Sequence, residues 1–74
     1  PEALLESEEI RDAVIGAIRE LPEDLRTAIM LRELDGMSYE EIAQSMDCPV
    51  GTVRSRIFRA RAAIEQKLVS LSDK

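Results

Sequence analysis

The stretch that decides the fold is SYEEIAQSMDCPVGTVRSRIFRAR, which occupies residues 38–61. Ser38 and Glu41 have the spacing of a capping box, so a helix is predicted to start at Ser38. Pro49 ends that helix before the turn, because proline lacks an amide N–H and disfavours helical geometry in the residue before it. A longer helix is predicted to follow over about residues 51–68. A short helix, a tight turn and a longer helix together predict a helix-turn-helix unit.

Two further helices are predicted upstream of this unit. The first is expected to run from Ser7, as its N-cap, to Leu21. The second is expected to begin at Pro22, which suits the first turn of a helix, and to reach Leu34. Gly36 then closes it, since glycine adopts the left-handed conformation readily. Both helices carry an apolar stripe at helical spacing, so we expect them to pack on each other and on the helices that follow.

Length and composition bound the class of protein. Seventy-four residues make one domain, close to the lower size limit for a self-sufficient core. Hydrophobic residues are 45% of the chain but aromatic residues only 3%, which favours packed helices over a sheet. The predicted fold class is therefore all-α: one compact four-helix domain over residues 1–74 that contains the helix-turn-helix.

Other features of the sequence predict the cellular compartment of the chain. No apolar run approaches the roughly 20 residues that span a bilayer, so we expect no membrane contact of its own. The single cysteine fits a reducing, cytoplasmic compartment. Because the chain begins at Pro1 rather than methionine, we expect it to be a domain of a longer protein.

The sequence offers little for catalysis. It has no histidine, no glycine-rich loop that would hold a phosphate, and no nucleophile with a base nearby. The adjacent acids Glu40 and Glu41 point in different directions on a helix, so they suit capping and solubility better than acid–base chemistry. We therefore expect no enzymatic activity, no cofactor and no metal site.

Charge changes sign along the chain. Residues 1–47 carry thirteen acidic residues against four arginines, whereas residues 48–67 carry four arginines and a lysine against one glutamate. A solvated charged surface is the plainer interpretation of such a run. However, a chain of net charge −5 that concentrates its positive charge on one helix is typical of a domain that directs this helix at a polyanion.

The outward face of the fourth helix narrows the choice of polyanion. At about 100° per residue, with Val53 placed inward, Ser55, Phe58 and Arg59 point away from the core. Arginine can bind O6 and N7 of guanine, serine can bond to either partner type, and phenylalanine can meet a thymine methyl group. The backbone N–H groups of residues 50–52, at the helix start, offer a phosphate site. Together these features predict sequence-specific DNA binding.

The run LPEDLRTAIMLRELDGMSYEEIAQSMDCPVGTVRSRIFRARAAI, residues 21–64, resembles region 4 of bacterial sigma factors. It is most similar to the extracytoplasmic-function group, which responds to envelope stress. The resemblance implies recognition of the promoter −35 element by an alternative sigma factor that directs RNA polymerase. It also implies docking on the flap of the polymerase β subunit and sequestration by an anti-sigma factor.

The same resemblance assigns DNA-binding residues. It implies that four side chains of the fourth helix approach bases: Arg54, Ser55, Phe58 and Arg59. It implies that Arg32 reaches DNA from the second helix. Phosphate binding and helix position would fall to Pro49, Val50, Gly51, Thr52 and Arg56. One departure from the general helix-turn-helix pattern is Asp47, where glycine is common.

Three residues have plainer interpretations. Cys48 is expected to be a small buried hydrophobe in the turn, because no histidine or second cysteine accompanies it. Tyr39 is expected to be structural at the start of the third helix, with its hydroxyl near a phosphate. Arg32 could pair with a nearby acid instead of DNA.

Two other functions fit parts of the sequence. The output domain of a response regulator is also a four-helix unit with a similar helix-turn-helix. A protein-interaction module would use the apolar and acidic surfaces of the first two helices to bind polymerase or an anti-sigma factor. The start of the second helix at Leu21-Pro22 and the arginine-rich fourth helix favour the sigma factor.

Overall fold

The computed structural model describes the backbone of residues 2–72 and the side chains of residues 8–70. Within residues 2–72 the chain is helical and contains no strand, which confirms the predicted all-α fold. Four helices follow one another: α1 (Glu2–Glu20), α2 (Glu23–Glu33), α3 (Tyr39–Met46) and α4 (Val50–Ser72).

The start of α1 differs from the prediction. The helix begins at Glu2, so Ser7 lies inside it and is not its N-cap. The physical reason is the intervening sequence, Glu-Ala-Leu-Leu-Glu, since all of these residues are strong helix formers. A serine can start a helix only where its upstream neighbours do not extend that helix.

The connections between α1, α2 and α3 lie at the proline and the glycine that the sequence marks as helix ends. Pro22 is the N-cap of α2, with an extended ψ of 150°, rather than a residue of its first turn. The helix ends at Glu33 with Leu34 as its C-cap. Gly36 then takes a φ of +65°, a left-handed conformation that glycine adopts without steric cost. This turn reverses the chain into α3.

The start of α3 is the capping box that the sequence predicts. The Glu41 N–H donates to Ser38 Oγ at 3.1 Å, and the Ser38 N–H donates to Glu41 Oε1 at 2.8 Å. Met37, just before the cap, is partly buried against the cluster that contains Ile42. Two backbone donors that the first turn leaves without helical partners are satisfied in this way. The capping box therefore sets where the helix-turn-helix begins.

The hydrophobic core is centred on α4. Each of α1, α2 and α3 packs against this helix, and α2 also packs against α3. Val53 and Ala60 are fully buried and Ile57 is 2% exposed, which confirms the inward placement of Val53 that the sequence predicts. The other members of the main cluster are Leu21, Ala28, Ile29, Ile42 and Ala43. Ala28, Ala43 and Ala60 are all in this cluster, where a small side chain leaves room for the neighbouring helix.

The prediction that α1 and α2 pack mainly on each other is wrong, whereas the prediction that both pack on a later helix is confirmed. α1 packs principally on α4, and α1 with α2 is not among the principal helix contacts. An open, mostly apolar groove lies between them; its lining includes Val14, Ile15, Ile18, Met30, Leu34 and Ile64. We call this the α1–α2 groove. The apolar stripe of α1 is therefore only partly covered, and Ile10 remains 50% exposed.

The capping box predicts a specific pH dependence of folding. The hydrogen bonds with Ser38, the backbone one first, hold the pKa of the Glu41 carboxyl below its ordinary value of 4.5. A lowered pKa in the folded state means that the ionised carboxylate stabilises the fold above the ordinary pKa. That contribution disappears as the pH falls through the lowered value.

We expect Glu41→Gln to flatten the pH dependence of unfolding, since glutamine keeps the acceptor but cannot titrate. Urea unfolding at several values between about pH 6 and about pH 3 measures this. Glu40→Gln removes the same charge outside the capping box and is the matched control. Parallel pH profiles for wild type and Glu41→Gln would contradict the role assigned to the carboxylate.

Candidate nucleic-acid interface

The turn of the helix-turn-helix is closed by the backbone. Asp47 adopts φ 53° and ψ 53°, the left-handed conformation that often ends a helix. Its N–H donates to the carbonyl of Gln44, and the Cys48 N–H donates to the carbonyl of Ala43 at 3.0 Å. Ala43 itself is 8% exposed and belongs to the cluster that includes Val53 of α4. The turn thus fixes the direction in which α4 leaves α3.

The outer face of α4 has the arrangement that the sequence predicts. Four side chains are exposed on the first half of the helix: Arg54, Ser55, Phe58 and Arg59. Phe58 is 74% exposed, which is unusual for a large aromatic side chain in a domain with so few of them. We call these four residues the outer α4 face. A cationic, polar and aromatic surface on a helix-turn-helix has the chemistry needed to contact base edges.

The first turn of α4 carries the predicted phosphate-binding residues. Pro49 and Gly51 are exposed, and Val50 and Thr52 are partly buried. The Thr52 N–H donates to the Pro49 carbonyl at 3.0 Å, so this amide already has a partner. The amides of Val50 and Gly51 occupy the first helical positions, where no intrahelical acceptor exists. The expected N–H site therefore reduces to two amides and the Thr52 hydroxyl.

Arg32 lies against Tyr39 and not against an acid. Its guanidinium carbon is 4.9 Å from the centroid of the Tyr39 ring, and its Nη1 donates to the Met37 carbonyl at 2.8 Å. The guanidinium carbon of Arg54 is 5.8 Å from the same ring centroid. The structure therefore brings Arg32, from α2, to the beginning of α4. Sequence spacing gave no indication of this proximity.

The side chain of Arg56 lies against the protein, whereas those of Arg54 and Arg59 are exposed to solvent. Its Nε is 3.6 Å from Asp24 Oδ2, and its Nη1 is 3.7 Å from the sulfur of Cys48. Its side chain is 24% exposed. Arg56 therefore connects α4 to α2 and to the turn. Cys48 is only partly buried there, beside this guanidinium, whereas the sequence predicts a buried hydrophobe.

The remaining arginine of this region, Arg61, is bound by an acid of α2. Its Nη2 is 2.7 Å from Glu33 Oε1, and this hydrogen bond raises the pKa of the guanidinium above its ordinary value. Both side chains are about half exposed, so the pair contributes little to stability. Its main consequence is electrostatic, because Glu33 offsets positive charge beside the outer α4 face.

Within residues 8–70 the ion pairs link Arg56 to Asp24, Arg61 to Glu33 and Lys67 to Glu20. Arg54 and Arg59 take part in none of these pairs. The outer α4 face therefore retains its positive charge in a domain that is acidic as a whole.

The surroundings of these arginines could not be predicted from the sequence. Asp24, Glu33 and Tyr39 each contact an arginine far away in the chain. No local pattern reveals such contacts, because they depend on how α2, α3 and α4 pack. The only signal in the sequence was the excess of acids in residues 1–47, thirteen against four arginines, beside the arginine-rich residues 48–67.

Two kinds of site are absent from the part of the chain that the structure describes. No group of three or more histidine, cysteine, aspartate or glutamate side chains is arranged to hold a metal ion. Among residues 2–72 no helix combines the length and the hydropathy that crossing a bilayer requires.

Comparison with known proteins gives the family. The family model described as "Sigma-70, region 4" matches residues 11–64, which include all four helices in part or whole. This chain belongs to the sigma-70 region 4 family. Region 4 is a DNA-binding domain without enzymatic activity. The response-regulator alternative gains no support, because the matching family and the relatives are sigma factors.

The chain is also similar to curated full-length proteins. It is 69% identical over 71 residues to the ECF RNA polymerase sigma-E factor of Escherichia coli K12, and equally to that of Salmonella typhi. It is 62% identical over 71 residues to the ECF RNA polymerase sigma-E factor of Haemophilus influenzae. Each alignment covers 96% of this chain and 37% or 38% of the relative. The chain therefore spans a little over a third of the length of these relatives.

The turn residue Asp47 provides a test of the helix-turn-helix geometry. A residue with a Cβ atom is strained at its φ of 53°, and a negative charge at the end of α3 opposes the helix dipole. We expect Asp47→Gly to raise the free energy of unfolding by up to about 1 kcal/mol, measured by urea unfolding.

Asp47→Ala is the matched control, because it removes the same charge but keeps the Cβ atom. A gain for Asp47→Ala as large as that for Asp47→Gly would assign the effect to charge and not to backbone strain.

Proposed function

We propose that this chain binds the −35 element of promoters as region 4 of an alternative, extracytoplasmic-function sigma factor. The observation that carries the proposal is the outer α4 face: four exposed side chains on the first half of the second helix of a helix-turn-helix. Family membership supplies the context, since the second helix of this motif enters the major groove. The structure supplies the side chains that would meet the bases.

Each residue of the outer α4 face has a chemistry that suits base reading. Arg59 and Arg54 can each donate two hydrogen bonds to guanine, and Ser55 can donate to or accept from a base edge. Phe58 is exposed without an evident packing role, so contact with a thymine methyl group would remove apolar surface from water. The combination suits a DNA site in which both guanine and thymine bases face the protein.

Phosphate contacts would hold this face in register. We propose that Pro49, Val50, Gly51 and Thr52 contact one phosphate at the start of α4, where two amides and the helix dipole favour an anion. Arg32 would add a contact from α2, beside Arg54. Arg56, which is already bound to Asp24, would fix the position of α4 and reach a phosphate only by sharing with that carboxylate.

The charge distribution suggests how the domain reaches DNA. Its net charge is −5, which repels a duplex at long range and weakens binding by the isolated domain. A larger cytoplasmic assembly would overcome this repulsion by holding the domain at the promoter. We propose RNA polymerase, through its β flap, as that assembly, in line with the family.

The α1–α2 groove supports a protein partner. It is about 830 Å³ in volume, and Leu34 at its edge is 74% exposed. Exposed apolar surface of this kind marks protein-binding sites. We propose that polymerase covers it during transcription and that an anti-sigma factor sequesters the domain otherwise.

Fluorescence anisotropy tests the DNA-binding proposal directly. We expect the domain to prefer a short duplex with a GGAAC-type −35 element over a scrambled duplex at two salt concentrations. Arg59→Ala should cost about 1–3 kcal/mol on the −35 duplex and far less on the scrambled one, because a base contact is lost. Arg11→Ala, on α1, removes the same charge and is the control. Equal losses on both duplexes would contradict base reading by Arg59.

Arg56→Ala should behave differently. If Arg56 shares a phosphate with Asp24, its loss weakens binding to every duplex alike and lowers the slope of log K against log salt by about 1. Titrations of both duplexes across a range of salt measure this slope. An unchanged slope with a lower melting temperature would assign Arg56 to helix positioning alone.

A further inference from the structure

Two arginines from different helices meet at one aromatic ring. The guanidinium carbons of Arg32 and Arg54 lie 4.9 Å and 5.8 Å from the centroid of Tyr39. Both distances are within the roughly 6 Å at which a cation is attracted to the face of an aromatic ring. Tyr39 is the single tyrosine of this chain, so both contacts converge on the same ring.

The location of the ring makes this arrangement useful. Tyr39 is the first residue of α3 and is partly buried against the core, so its position is fixed by the fold. Arg32 comes from α2 and Arg54 from the first half of α4. The ring therefore contacts one cation from each of two helices.

Arg32 also has a structural bond, because its Nη1 donates to the Met37 carbonyl at 2.8 Å; the case for a role beyond folding therefore rests mainly on Arg54. Arg54 is exposed and belongs to no ion pair among the described residues. A long exposed side chain normally samples many rotamers and loses that freedom on binding. An aromatic ring that restrains it in the free protein lowers the entropic cost of contacting DNA.

We propose that Tyr39 is a positioning residue, whose ring restrains Arg32 and Arg54 so that both guanidinium groups are directed toward the DNA before it binds. The inference rests on the proposed function, because it assumes that DNA is the ligand of these arginines. The ring acts through its negatively charged face, so its hydroxyl is not needed for this role.

The matched pair of variants is Tyr39→Phe and the replacement of Tyr39 by pentafluorophenylalanine. Both keep the shape of the ring and its packing on the core, but fluorine removes the negative charge from the ring face. Equal melting temperatures, measured by circular dichroism, establish that the two variants fold alike. Tyr39→Leu, which keeps apolar volume without a ring, provides an independent second variant.

The first readout needs no DNA. Order parameters of the arginine Nε–Hε groups come from ¹⁵N relaxation of the free domain. We expect the value for Arg54 to fall below about 0.6, in the flexible range, in the fluorinated variant but not in Tyr39→Phe. Arg59, which is on the same helix, is the internal control and should not change. Unchanged mobility of Arg54 in the fluorinated variant would overturn the proposal.

The second readout is affinity. Each contact at an exposed site changes an equilibrium constant by about twofold to fivefold, so the fluorinated variant should bind duplex DNA about fivefold to twentyfold more weakly than Tyr39→Phe. Its salt slope should stay the same, since no charge is lost. Equal affinities of the two variants would overturn the positioning role.

The two proposals fail in distinguishable ways. If wild type binds the −35 and scrambled duplexes equally, promoter recognition by the isolated face is refuted. The comparison of Tyr39→Phe with the fluorinated variant on either duplex still decides the role of the ring, because phosphate contacts are made on any sequence.

Discussion

The rest of the structure depends on the burial of one face of α4. Val53, Ile57 and Ala60 are removed from water, and each of the other helices packs against this helix. Because a helix has a fixed period, burial of this stripe forces Arg54, Ser55, Phe58 and Arg59 outward. The same hydrophobic contacts that stabilise so small a domain therefore expose the four side chains for which base contact is proposed. Folding and function share one helix and cannot be changed independently along its inner face.

Around that helix, acids from α2 sort the arginines into two groups. Asp24 and Glu33 bind Arg56 and Arg61, which are thereby tied to the protein. Arg54 and Arg59 have no such partner among the described residues. The positive charge of α4 is therefore concentrated on the outer α4 face, because the neighbouring arginines are offset by acids. This distribution agrees with the proposal that a larger assembly delivers the domain, because a net negative charge weakens non-specific attraction to DNA.

Much of the fold and of the candidate site could be predicted because the signals are local. The capping box of Ser38 and Glu41, the break at Pro49 and the wheel of α4 each involve residues within a turn or two. The start of α1 is also local in origin: the helix formers before Ser7 extend the helix to Glu2 in spite of the capping preference of serine. The packing of α1 could not be predicted, since an apolar stripe shows that a helix needs a partner but not which one.

By itself, the sequence determined the four helices, their approximate ends and the outward direction of Ser55, Phe58 and Arg59, because these follow from dihedral preferences and helical periodicity. Only the tertiary structure decided which residues meet across helices. It placed Arg32 and Arg54 on the ring of Tyr39, bound Arg56 to Asp24, and left a groove between α1 and α2. These contacts depend on the angles and distances at which α2, α3 and α4 pack, and no short-range pattern encodes those quantities.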